Sequence, residues 1–95
     1  MREPNATLTD PQALQYIFLV VQHIKKGRSY YGAVKLIQKE KGLKSVQTVY
    51  TACTNQIHLT PQQFLNMLEN IPSLVAYLIS LFPDHEQEIR VKIAT

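Results

Sequence analysis

Signals that begin and end helices recur along this sequence at the spacing of short helices, and they limit the chain to an all-α fold. Thr60 and Gln63 have the spacing of a capping box, with a proline between them in the first helical turn. Gly27 and Gly42 each follow lysines, an arrangement in which glycine commonly ends a helix. The sequence holds 3 glycines and no Asn-Gly or Asp-Gly pair that would predict a β-hairpin. We therefore predict an all-α chain.

Apolar residues at helical spacing between these signals predict one domain, a small bundle of five to six short helices. The predicted helices cover residues 11–26, 30–41, 46–57, 61–69, 74–82 and 84–93. Residues 1–8 contain no apolar stretch, so we expect a flexible N-terminus there and not a signal peptide.

Length and residue usage argue against an enzyme. A chain of 95 residues is the size of one small domain, which leaves no room for a cleft between two domains. Cys53 is the only cysteine, so the chain holds no internal disulfide and no multi-cysteine zinc site. His23, His58 and His85 lack the spacing of metal ligands. We therefore expect no catalytic residue, no metal, no cofactor and no small-molecule substrate.

The apolar runs are too short for a membrane span. The longest cover residues 17–21 and 74–82, and a spanning helix needs roughly 20 residues. Hydrophobic residues nevertheless make up 45% of the chain, which is enough for a folded core. We expect a cytoplasmic protein without a membrane partner, associated with the nucleoid if the source is prokaryotic.

Positive charge is concentrated in one part of the chain. Residues 1–60 have a net charge of +5 and residues 61–95 a net charge of −2, within a total of +3. Residues 25–44, here called the basic block, carry seven cations and a single acid, Glu40. The cations are Lys25, Lys26, Arg28, Lys35, Lys39, Lys41 and Lys44. Such a block attracts a polyanion, although a basic solvated surface is the simpler interpretation of the charge alone.

A tight turn, Gly42-Leu43-Lys44, joins the second and third predicted helices, with Leu43 directed back towards the core. Together with Val49 inside the third helix, this layout in the segment AVKLIQKEKGLKSVQTV (residues 33–49) resembles the helix-turn-helix of bacterial DNA-binding proteins. The resemblance covers residues 31–57 of a unit spanning residues 29–57. It implies that the third helix lies in the major groove of double-stranded DNA.

In such a motif the groove helix offers hydrogen-bonding side chains to bases, and the surrounding cations contact phosphates. The candidates for base contacts are Ser45, Gln47, Thr48, Thr51 and Asn55. Thr54 is predicted to share their outward face. The candidates for phosphate contacts are the seven cations of the basic block. Because this face holds amides and no arginine, we expect modest specificity that favours A·T pairs.

The C-terminal helices, residues 60–94, include one that is apolar on almost every side. We expect part of it to form a partner interface, most simply in a homodimer. The interface candidates are Leu74, Tyr77, Leu78 and Leu81. The last helix is acidic, and it either lies away from the DNA or docks on the chain's own basic block.

These observations predict a small DNA-binding protein, a transcriptional regulator or a DNA-associated accessory factor. Two alternatives remain open. The first is a protein–protein interaction module that uses the apolar C-terminal helices and binds no nucleic acid. The second is an adaptor that binds RNA or another polyanion with little sequence specificity. The salt dependence of binding distinguishes the three.

Overall fold

The computed structural model describes residues 8–94, which form an all-α bundle without a strand. The helices are α1 (Asp10–Lys25), α2 (Tyr30–Glu40), α3 (Gln47–Tyr50), α4 (Pro61–Glu69), α5 (Ile71–Leu81) and α6 (Glu86–Ala94). A π-helical segment, Thr51–Asn55, continues α3, and a 3-10 turn, Pro83–His85, precedes α6. The predicted fold class is confirmed. The predicted flexible N-terminus lies outside the described residues except for Leu8, which is buried.

Side-chain caps begin three of the helices, and one of them is the predicted Thr60–Gln63 box. At α4, the Thr60 hydroxyl accepts from the backbone N–H of Gln63 at 3.1 Å, and the Gln63 side chain accepts from the N–H of Thr60 at 2.9 Å. Thr9 and Gln12 form the same box at α1, and Ser29 caps α2. Each bond satisfies an N–H that the helix leaves unpaired, which stabilises its start by roughly 1 kcal/mol.

Both predicted glycine stops are present and have the same geometry. Gly27 has φ +101° and Gly42 has φ +67°, in the left-handed region that a residue without Cβ adopts at little cost. After α2, the N–H of Leu43 donates to the carbonyl of Gln38 at 3.0 Å, and the N–H of Gly42 donates to that of Lys39 at 3.2 Å. This pair of bonds is a Schellman motif. It ends α2 and sets the direction in which the chain leaves it.

The core surrounds α1. Within α1, Ala13, Ile17 and Val20 have no exposed surface, and the helix packs against α2, the π-helical segment and α6. The opposite side of α6 packs on α5, which also contacts α4. The N-terminal helices and the C-terminal helices therefore share one core, and α6 connects the two parts.

The third helix differs from its prediction. An α-helix was predicted over residues 46–57, but α3 ends after one turn and the chain widens into π-helix. The N–H of Gln56 donates to the carbonyl of Thr51, and that of Leu59 to the carbonyl of Thr54 at 2.7 Å, each five residues back. Because the π-helical segment changes the angular register, Thr54 is buried, with 7% of its surface exposed, and its predicted outward position is wrong.

In residues 8–94, no single helix has both the length and the apolar composition to cross a membrane. Among these residues, only α4 and α5 taken together have the required length and composition, and the two helices are bent by 120° relative to each other.

Candidate nucleic-acid interface

The turn between α2 and α3 is ordered by side chains at both ends. The Gln38 amide donates to the carbonyl of Leu43, so it closes the turn from the α2 side. The Ser45 hydroxyl accepts from the backbone N–H of Gln47 at 3.2 Å, which fixes the first residue of α3. The Leu43 side chain is half-buried against the core, as predicted. These contacts hold the start of α3 at a fixed orientation relative to α2.

The five candidates for base contacts do not form one face. Ser45 and Gln47 are exposed at the start of α3, with half-buried Thr48 beside them and half-buried Thr51 one turn later. Asn55 is also exposed, but it lies at the end of the π-helical segment, and its side chain accepts a bond from Thr54 at 3.3 Å. The structure thus groups the first three candidates and separates Asn55 from them.

All seven cations of the basic block are exposed, but three of them have contacts within the protein. The Lys25 ammonium donates to the carbonyl of Ile93 at 2.7 Å. The Lys35 ammonium lies 5.9 Å from the centroid of the Tyr31 ring. Nη1 of Arg28 contacts Nδ1 of His23. Lys26, Lys39, Lys41 and Lys44 form no ion pair with an acid among residues 8–94.

A three-residue contact brings the two ends of the basic block together. Nε2 of His23 in α1 lies 4.0 Å from the Glu40 carboxylate in α2, and Nη1 of Arg28 lies 3.2 Å from Nδ1 of the same ring. The C-terminal end of α2, with Lys39 and Lys41 on either side of Glu40, therefore lies beside the C-terminal turn of α1. Cations that are far apart in sequence share one surface region.

Lys92 also lies in this region, although it is not among the predicted site residues. A groove of about 390 Å³ between the ends of α1 and α6 is lined by Gln22, Lys25, Lys26 and Lys92. Lys92 belongs to the helix that the sequence marks as acidic. The signal that was available is its position in the last turn of α6, since cations are common at that end of a helix. We call the exposed cations of the basic block together with Lys92 the basic face.

The glutamates of α6 pair within the C-terminal part of the chain, although Glu88 also lines a groove with Gln22 and Lys92. Glu86 pairs with Arg90 at 2.9 Å, and Glu88 lies 3.3 Å from His85, so both carboxylates have partners in their own part of the chain. The contact between α6 and the basic block is instead the bond from Lys25 to a carbonyl of the last turn of α6. Among residues 8–94, no ion pair joins the acids of α6 to the cations of the basic block, so no ion pair supports the expectation that α6 masks the block.

The polar groups behind α3 are buried and serve packing. The Tyr30 ring lies 5.7 Å from the Tyr50 ring and 5.8 Å from the Phe64 ring. Burial raises the pKa of the Cys53 thiol and of the Tyr30 hydroxyl well above their ordinary values. A buried thiol of this kind stays protonated near neutral pH and makes a poor nucleophile. Across residues 8–94, no cluster of three metal-ligating side chains is found.

Two of the four residues predicted for a partner interface are buried within the chain itself. Leu74 and Leu78 have no exposed surface, because α5 packs both of them into the chain's own core. Tyr77 is half-buried, and its hydroxyl donates to the carbonyl of Ile57 at 2.5 Å. Leu81 is the one candidate that remains exposed, at 37%. Apart from Leu81, an interface on α5 would have to use other residues.

Such residues line a separate groove between α5 and α6, of about 470 Å³. Its lining is mostly apolar, with one cation at the edge. The lining residues are Ile71, Pro72, Val75, Ala76, Ile79, Arg90 and Ala94.

No protein-family model, curated protein or solved structure matches this chain. Its function is therefore inferred from the geometry of the chain itself.

Proposed function

We propose that the protein binds double-stranded DNA, with the start of α3 in the major groove and the basic face on the flanking phosphates. One observation carries this proposal. Exposed cations that form no ion pair with an acid among residues 8–94, such as Lys41 and Lys44, precede a short helix whose exposed start is polar and uncharged, at the end of an ordered turn. DNA recognition needs this combination, because phosphates supply most of the affinity and base edges supply the sequence preference.

The cations favour a polyanion over a small acidic ligand. Lys39, Lys41 and Lys44 follow one another along the end of α2 and the turn, and Lys26 lies at the end of the neighbouring helix. Each cation that neutralises a phosphate releases a condensed counterion, so binding weakens steeply as salt is added. The Glu40 carboxylate lies 4.0 Å from the His23 ring, which also contacts Arg28.

Base contacts are assigned to Ser45, Gln47 and Thr48. A glutamine amide pairs with the major-groove edge of adenine through two hydrogen bonds, and hydroxyls bond to several bases. Since Asn55 lies beyond the change of register, it is not part of this proposed contact. Because α3 has only one turn and no arginine, we expect its base contacts to give a modest preference for A·T pairs. A regulator or an accessory factor of DNA, in the cytoplasm or nucleoid, is the role that fits.

Fluorescence anisotropy on a labelled duplex of about 20 base pairs tests the proposal, at salt concentrations of roughly 50 and 200 mM. We expect the affinity to fall tenfold or more between them. The double variant Lys39→Glu, Lys41→Glu should abolish binding, whereas Arg90→Glu, on the far side of α6, should retain it. No binding of the unmodified protein at the lower salt concentration would refute the proposal.

The α5–α6 groove favours a second function, a protein-interaction module. Its apolar lining fits an apolar side chain of a partner, and a second copy of the chain is the simplest one. Sedimentation equilibrium of the unmodified protein and of Ala76→Glu, a change in the groove lining, separates the possibilities. A dimer that Ala76→Glu dissociates, together with no DNA binding, would favour the interaction module instead.

A further inference from the structure

Three lysines line the groove between the ends of α1 and α6, namely Lys25, Lys26 and Lys92. Of these, only Lys25 bonds a carbonyl at the end of a helix among residues 8–94. Lysines at a helix C-terminus interact favourably with the helix dipole and bond the last carbonyls. Here Lys25 already fills this role for α6, since its ammonium donates to the carbonyl of Ile93 at 2.7 Å. Lys26 and Lys92 line the same groove, and no hydrogen bond or ion pair holds their ammonium groups within residues 8–94.

The position of Lys92 depends on tertiary packing. Its ammonium lies 5.8 Å from the centroid of the Phe18 ring in α1, and this contact directs the side chain towards α1 and away from α5. Arg90, two residues earlier on the same helix, lines the α5–α6 groove on the other side and pairs with Glu86. The helix thus turns one cation towards the basic block and the other away from it.

The groove also continues the basic face. Lys25 and Lys26 end α1, and the contact of His23 with Glu40 joins this end to the end of α2 and hence to the turn before α3. Lys25 and Lys26 also line the groove, so the end of α1 connects the end of α2 with it. A phosphate there would contact two ammonium groups that have no competing carboxylate at hydrogen-bonding distance.

We propose that Lys92, together with Lys26, binds a backbone phosphate of the same duplex that α3 reads, so the DNA interface extends onto α6. This inference rests on the proposed function. It assigns a DNA contact to the C-terminal part of the chain, outside the helix-turn-helix resemblance. The bond from Lys25 to Ile93 then has a function as well, because it holds the end of α6 against the DNA-binding part.

The test compares Lys92→Gln with Arg90→Gln, two variants that remove one positive charge from the same helix. Anisotropy titrations across roughly 50 to 200 mM salt give the slope of log affinity against log salt for each. We expect Lys92→Gln to reduce the slope by about 1, because one phosphate contact is lost. Over this fourfold range of salt, the loss of affinity should then be about fourfold smaller for Lys92→Gln than for the unmodified protein. Arg90→Gln should keep the full slope.

Three controls make the outcome specific. Lys92→Arg should keep the slope, and Lys26→Gln should reduce it by the same amount as Lys92→Gln. Circular dichroism should show that each variant is folded. Inorganic phosphate at constant ionic strength should not remove the difference between Lys92→Gln and the unmodified protein.

The possible failures are distinguishable. If the unmodified protein binds no duplex, the proposed function is wrong and this inference is wrong with it. If it binds with a steep slope and Lys92→Gln has the same slope as Arg90→Gln, the proposed function stands and the contact on α6 is wrong. If Lys92→Gln weakens the binding of inorganic phosphate but keeps the full slope for the duplex, the groove is a site for a free anion, and the DNA contact is wrong.

Discussion

The carboxylate of Glu40 lies 4.0 Å from Nε2 of His23, and this contact joins the C-terminal ends of α2 and α1. Glu40 is the single acid of the basic block, and Lys39 and Lys41 flank it in the sequence. Its position has two opposite consequences. It draws the two helix ends together, and it also places a negative charge where DNA phosphates are proposed to bind.

Replacing Glu40 with glutamine should therefore raise the affinity for DNA. A unit charge about 10 Å from a phosphate is worth about 0.4 kcal/mol in water, which corresponds to roughly a twofold change in affinity for each such phosphate. Anisotropy titration at low salt measures it. Glu69→Gln makes the same change in charge at the end of α4 and should have a smaller effect. A lower affinity of Glu40→Gln would show that the contact with His23 matters more than the charge.

Replacing Gln47 with alanine should alter sequence preference and leave nonspecific affinity unchanged. Gln47 is exposed in the first turn of α3, where its amide is free to meet a base edge. Loss of a bidentate contact costs about 1–3 kcal/mol at the preferred site and nothing at a random one. Binding-site selection followed by titration on both duplexes measures this, with Gln87→Ala in α6 as the control. An unchanged sequence preference would show that α3 does not contact the bases.

Local signals explain why so much of the fold was predictable. The Thr60–Gln63 box and the glycine stops act within a few residues, so their geometry can be read from sequence. Two features depended on tertiary contacts instead. The π-helical segment positions Thr54, whose hydroxyl donates to the carbonyl of Tyr50 at 2.7 Å. Lys92 faces the basic block only because α6 docks on α1.

Interface residues on α5 were the least predictable part of the site. An apolar helix has the same sequence pattern whether its neighbours belong to the same chain or to a partner. Leu74 and Leu78 are covered by the chain itself, because α4 and α6 pack on either side of α5. Sequence periodicity identifies such residues as buried, but it does not identify what buries them.

Replacing Tyr77 with phenylalanine should destabilise the fold without affecting DNA binding. The Tyr77 hydroxyl donates to the carbonyl of Ile57 at 2.5 Å, which connects α5 to the end of the π-helical segment. Removing it leaves a carbonyl unpaired, at a cost of about 1 kcal/mol. Urea unfolding measures the loss. The control is Tyr16→Phe, since the Tyr16 hydroxyl has no hydrogen-bond partner among the described residues, and equal losses in both variants would contradict the assignment.

The stability of the protein should decrease at alkaline pH because of Cys53. Burial raises the pKa of its thiol above the ordinary value of 9.0, so the folded state keeps a proton that the unfolded state loses. This contribution is fully present below pH 9 and is lost as the pH rises above it. Where the folded state keeps one proton that the unfolded state has lost, the free energy of unfolding falls by about 1.4 kcal/mol for each unit of pH increase.

Urea unfolding between about pH 8 and pH 10 should therefore show a decline that is smaller in Cys53→Ala than in the unmodified protein. Burial also raises the pKa of Tyr30 from its ordinary value of 10.0, so a second decline should begin above pH 10 in both proteins. A thiol reagent added to the folded protein at about pH 8 should react only as fast as the chain unfolds. Rapid labelling of Cys53 without urea, or equal declines in the two proteins, would show that the thiol is not held in its buried, protonated state.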